Sequence, residues 1–173
     1  MTQRWVFWAA VVAAMAVYLA IVLWSLPLIQ SDANGLTPFD LRPVGYSFAE
    51  AQAFLAALGE RGRSQYLGPQ HWLDLFYPGL LALALSLGFL RLFPLRWAVG
   101  FSAIAILAAV FDWREDALVS DMLETNLDAL SSDLVSQASL MTVLKSGVST
   151  IAMLILCLGL CLALWRRMKG LVR

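Results

Sequence analysis

Four residues of this chain carry charge where their neighbours carry almost none. Asp74, Asp112 and Lys145 stand within or at the ends of long apolar runs, and Glu115 follows Asp112 by three residues. Ionisable side chains in such surroundings are costly, so they mark a working site or a structural polar lock. Asp112 and Glu115 are of a type that serves as general acid or base. Lys145, if burial removed its proton, could activate a hydroxyl. Thr142 precedes it by three residues and Ser149 follows by four, both helical spacings. Hydroxyls in helices more often bond back to a carbonyl one turn earlier, which weakens the nucleophile reading. His71 lies three residues before Asp74 and Tyr77 three after, so these share a face with it. Zinc asks for three or four ligands, and the chain has one histidine. No metal and no cofactor are therefore expected. Cys157 and Cys161 are the only cysteines, and their four-residue spacing on a helix leaves them too far apart for an unstrained disulfide.

These residues need elements to hold them, and composition says which. Of 173 residues, 61% are hydrophobic and 14% charged, with a mean hydropathy of +0.75. A soluble domain carries roughly a quarter charged residues, so a soluble enzyme is excluded. Twelve basic residues balance twelve acidic ones, which gives no reason to expect nucleic acid as a partner. Apolar runs near 5–28, 71–91, 96–116 and 139–166 are each long enough to cross a bilayer. The first exceeds a signal-peptide core and lacks a small-residue cleavage site, so it reads as a span. The fold expected is a single all-α integral membrane domain over 1–173: a four-transmembrane-helix bundle with an outer amphipathic helix.

Arg4, Arg91, Arg96, Arg166, Arg167, Lys169 and Arg173 all fall on one side of those spans, with no acid among them. The positive-inside rule makes that side cytoplasmic, so both termini are inside and the stretches 29–70 and 117–138 face outward. Trp5, Trp8, Trp97 and Trp165 mark the inner ends; Trp24, Trp72 and Trp113 mark the outer ones, as interfacial aromatics do. In the first outward stretch Ser47-Phe48-Ala49-Glu50 is a capping box. It opens a short helix with Phe48, Ala51, Leu55 and Leu58 on one face, stopping at Gly59, and Glu60–Arg63 reads as a charged turn behind it. Leu118, Met122, Leu127, Leu130 and Leu134 recur at loose helical spacing in the second stretch, which is expected to be helical too. In the first span the pairs Ala9/Ala13, Ala10/Ala14 and Ala16/Ala20 allow close helix approach.

Depth can be read by counting. Asp74 lies 17 residues before Arg91 and Asp112 lies 16 after Arg96, which puts both ~25 Å from the basic layer. Lys145, 21 residues before Arg166, comes out ~31 Å away. A lysine stem leans toward its helix N-terminus, here outward, so pairing with the two acids asks for a tilted span or a bent rotamer. The convergence predicts a polar pocket near the outer leaflet, open to the outside.

Asp74-x-x-Tyr77-Pro78, Asp112-Trp113-x-Glu115-Asp116 and Thr142-x-x-Lys145 occur together, after Gly62-Arg63-Ser64-Gln65-Tyr66. The set resembles a group of uncharacterised bacterial four-span membrane proteins, which carry D-x-x-F-P, D-[YF]-x-E-N and T-x-x-K, often after G-R-x-x-Y. Asp116 stands where that pattern has Asn, and Trp113 where it has Tyr or Phe. The resemblance implies a bacterial inner membrane and a shared polar site, adding Arg63 and Tyr66 to it, and brings no established activity. The reading is an outward-facing pocket that binds a small molecule or lipid. Asp112, Glu115 and Lys145 are its catalytic candidates for acid–base work, and Asp74, Tyr77, His71, Arg63, Tyr66 and Thr142 its binding candidates. The alternative is a non-catalytic accessory or assembly subunit of a larger membrane complex, whose charges tie helices together or meet a membrane-protein partner.

Overall fold

The computed structural model describes residues 2–171, with side chains described for 4–169; Arg173 of the basic set lies outside the described residues. Within that range the chain is helical and has no strand. Helix α1 (Thr2–Ala20) runs through a wide π-type turn at Ile21–Ser25 into α2 (Leu26–Asp32). Helix α3 (Phe48–Ala57) stands alone, and α4 (Glu60–Gln65) passes through a second π-type turn at Tyr66–Gln70 into α5 (His71–Leu92). Helices α6 (Leu95–Glu124) and α7 (Ser132–Leu171) complete the chain. Four of the resulting helices are long and apolar enough to cross a membrane. They bury only 11% to 33% of their most apolar stretches, so most of that apolar surface points away from the protein.

The long helices reach further than the apolar runs alone suggest. The turn expected at Glu60–Arg63 is instead the first turn of α4. Asp32, at the end of α2, accepts a hydrogen bond from the Gly62 amide at 2.7 Å. That satisfies an otherwise orphaned donor at the start of α4 and places a negative charge at the helix's positive end. Gly62 is needed for this, because a Cβ there would come within 2.7 Å of the Asp32 carboxylate. At the same end of the molecule, α6 continues past Asp116 to Glu124 because Leu118, Val119, Met122 and Leu123 have a core to enter. Residues 125–131, which include a short 3-10 turn at Leu127–Ala129, then lead into α7.

That core is the cap. Ser47 and Glu50 form both halves of the capping box, with the Ser47 amide donating to Glu50 Oε2 at 2.7 Å and the Glu50 amide to Ser47 Oγ at 3.3 Å. The helix they start buries Ala51, Phe54 and Leu55 against Ile29, Phe39 and Met122. Phe48 is half-buried and Leu58 buried, as the amphipathic reading requires, while Phe54 joins a face the sequence pattern did not assign to it. Gly45, at φ +85°, turns the chain so that the Tyr46 amide donates to Ser139 Oγ at 2.8 Å, anchoring the cap to α7.

At the other end the packing is of small residues. Ala82, Ala98, Ala105, Ala109 and Ala152 surround Leu85 and Phe89 where α5, α6 and α7 meet. Of the alanine pairs in the first span, Ala10 and Ala14 are the buried one. The Arg91 guanidinium lies 4.2 Å over the Phe7 ring, and a Cβ on Gly159 would come within 2.7 Å of Phe93. The start of α1, the α5–α6 turn and the later turns of α7 therefore share one end, opposite the cap.

Candidate functional site

Two helices supply most of the charged cluster, each with two residues one turn apart. Asp112 and Glu115 project from α6 toward α7, and Thr142 and Lys145 project from α7 toward α6. Lys145 Nζ donates to Asp112 Oδ1 at 2.8 Å and makes a still closer contact with Glu115 Oε2. The Thr142 hydroxyl reaches Glu115 Oε1 at 2.6 Å and the Ala138 carbonyl, one turn back, at 3.1 Å. Glu115 and Thr142 are fully buried, whereas Lys145 and Asp112 keep 14% and 21% of their side chains exposed. The lean of the lysine explains how the depths are reconciled. Pointing toward the start of its own helix, it meets Glu115, which lies three residues closer to the cap than Asp112. Its flexible stem still reaches the nearer acid.

A third carboxylate arrives from the cap. Asp40 Oδ1 lies 3.9 Å from Lys145 Nζ, and its Oδ2 accepts from the Tyr66 hydroxyl at 2.6 Å. The same Tyr66 oxygen accepts from the Phe39 amide at 3.1 Å, so one buried phenol fixes the turn that carries Asp40. Three carboxylates thus surround one ammonium, an excess of acid over base. Neither Asp40 nor its role was legible in the sequence, because it sits in an irregular turn with no periodicity to give it a direction. The Ser139 hydroxyl that receives Tyr46 was equally invisible. Burial of the Tyr46 phenol, reinforced by Glu115, pushes its pKa well above the usual tyrosine range. Among the described residues its hydroxyl and Gln70 Oε1 are buried with no hydrogen-bond partner.

The other expected residues separate into neighbours and outliers. Asp74 is held by Gln70, whose amide nitrogen donates to both of its oxygens at 2.9 and 2.8 Å, and it makes no direct contact with Lys145. Gln70 is fully buried at the end of the second π-type turn and is a site residue the sequence pattern did not single out. His71 leaves the cluster altogether: its Nδ1 lies 2.8 Å from Asp116 Oδ2, without the alignment of a hydrogen bond. Arg63, on α4, has no ion pair or hydrogen bond to the cluster. Lys145 is engaged by acids, and no contact joins it to Thr142 or Ser149, so a hydroxyl–amine nucleophile is not assembled. Cys157 and Cys161 are free thiols on the exposed face of α7. Among the described residues no group of three or more His, Cys, Asp or Glu side chains is arranged to hold a metal ion.

One side of the cluster opens between α5 and α7. A cavity of about 400 Å³ is lined by Tyr77 and Leu81 of α5, Asp112 of α6, and residues of α7 from Lys145 to Cys157. Asp40, Glu115 and Thr142 are not in its lining; they stand behind Asp112 and Lys145. This cavity opens between α5 and α7, while the turn bearing Asp40 and the aromatic core of Phe39, Phe54 and Tyr66 occupy the cap end.

Comparison with protein-family models, with curated proteins and with solved structures finds no match.

Proposed function

We propose that this chain is an integral protein of a bacterial inner membrane whose lateral cavity binds a lipid-soluble molecule against Asp112 and Lys145. The supporting observation is the cavity itself, in which two partly buried charged groups line a void opening on the side of apolar helices. A ligand arriving through water would have to pass the packed cap, whereas one dissolved in lipid enters between α5 and α7 directly. Membrane insertion is supported by the four long apolar helices, with Trp5, Leu23, Leu95 and Val99 well exposed. Arg4, Arg91, Arg96, Arg166, Arg167 and Lys169, the described members of the basic set at the uncapped end, support cytoplasmic termini.

Asp112 is the acid–base candidate, since it alone among the cluster's carboxylates reaches the cavity wall. Glu115, itself held by Thr142, and Asp40 hold Lys145 in place. The four short motifs also favour membership of the four-span group they resemble, because Tyr66, Asp112, Glu115, Thr142 and Lys145 come from three of the four, the Gly-Arg-x-x-Tyr stretch included, and all meet at or directly beside this cluster.

Filling the cavity tests the reading. Purified in a mild detergent, the protein should carry a non-detergent molecule visible by native mass spectrometry, and Ser149→Trp should lose it while melting at an unchanged temperature. An empty spectrum for the unmodified protein, or equal occupancy in the filled variant, would overturn it.

A further inference from the structure

The cavity beside Asp112 is not isolated. Tyr77, Leu81 and Met153 also line a second void of about 510 Å³ that runs between α1, α5 and α7 toward Phe7, Ala14 and Leu156. No charged residue lines this second void. Each volume falls in the ~300–1,000 Å³ range of small-molecule sites. Adjoining at these shared residues, the two voids outline a groove with charge at one end and hydrocarbon along the rest. From Lys145 to Leu156 the groove follows α7 for eleven residues, a rise of about 16 Å. That is the length of a long alkyl chain laid along a helix.

The charged end selects the headgroup. Lys145 engages Asp112, Glu115 and Asp40, so its ammonium is already surrounded. Lys145 uses Oδ1 of Asp112, and among the described residues no hydrogen bond reaches Oδ2. An anionic head entering here would meet three carboxylates against one base. A cationic head would complement the excess and donate to the free Asp112 oxygen. We propose that the groove takes a single-chain amphiphile with a protonated amine head, the ammonium on Asp112 and the chain running past Tyr77, Leu81 and Met153 toward Phe7. This rests on the lateral-cavity reading above and names its ligand class.

The test is a ranking of three probes with the same chain. Dodecylamine, dodecanol and dodecanoate are titrated into the full-length protein in a non-ionic detergent and followed by calorimetry, with protein-free micelles subtracted. Dodecylamine should bind about tenfold tighter than dodecanol, the worth of one partly buried charge pair, and dodecanoate weakest. The ranking on the unmodified protein needs no variant. Asp112→Asn should bring the amine down to the level of the alcohol, and Ala14→Trp should weaken both. Equal binding of amine and alcohol, or preference for the carboxylate, overturns the headgroup while the lateral cavity stands. Binding unaffected by Ala14→Trp overturns the path of the chain. If none of the three binds, the cavity reading falls with the proposal.

Discussion

Lys145 is the residue on which the cluster depends, because it is the single base among Asp112, Glu115 and Asp40. Removing it leaves carboxylates buried without compensation, which costs more than the pair itself ever contributed. Lys145→Met is expected to destabilise the protein by roughly 3–5 kcal/mol, read as unfolding in detergent micelles. Glu115→Gln should cost less, since Lys145 keeps Asp112 and the amide still accepts from Thr142. The double variant should be more stable than Lys145→Met alone, because the most deeply buried carboxylate is then gone. A double variant that sums the two single losses would show that Glu115 and Lys145 are not coupled. Thr142-x-x-Lys145 was legible as a helical pair, and so was the Asp112/Glu115 turn. That all four would meet was a matter of depth counting, and the lysine's lean toward Glu115 made it work.

Among the elements, α3 shows how local chemistry can be sufficient and still incomplete. Ser47 and Glu50 announce its start without any tertiary information, and the box forms as written. Ser47→Ala should cost about 1 kcal/mol and raise amide exchange across α3. Glu50 has its pKa lowered by the Ser47 hydroxyl first and the Ser47 amide second. A lowered folded pKa means the contribution is present above the unfolded value of 4.5 and is lost as pH falls through the folded one. Protection of the α3 amides relative to their intrinsic exchange rate should therefore fall on acidification below that range, and Ser47→Ala should flatten the response. A pH-independent α3 would count against the box as the source of the cap's order. The start of α4 is the contrasting case. Glu60-Arg61-Gly62-Arg63 looks like a turn because its N-cap function is supplied by Asp32, thirty residues earlier. No local pattern carries that information.

At the scale of the whole molecule, the charges at the two ends make the topology testable. A reporter fused after Arg173 should be active in the cytoplasm and silent outside, and the reverse result would remove the orientation. The sequence alone determined that the chain is helical, that four helices are long and apolar enough to cross a membrane, and which of their ends gather base. Those are one-dimensional quantities: the length of an apolar run at a fixed rise per residue, and the position of each charge along it. It also determined the start of α3 and the helical partners of Asp112 and Lys145, because a cap and a single turn are local. The tertiary structure decided what depends on separation in space. It brought Asp40 onto Lys145 through Tyr66, set Gln70 on Asp74, moved His71 away to Asp116, and gave α4 its cap from Asp32. It also packed Phe39, Phe54 and Tyr66 over the cap end of the bundle and left a cavity between α5 and α7, neither of which a one-dimensional pattern can place.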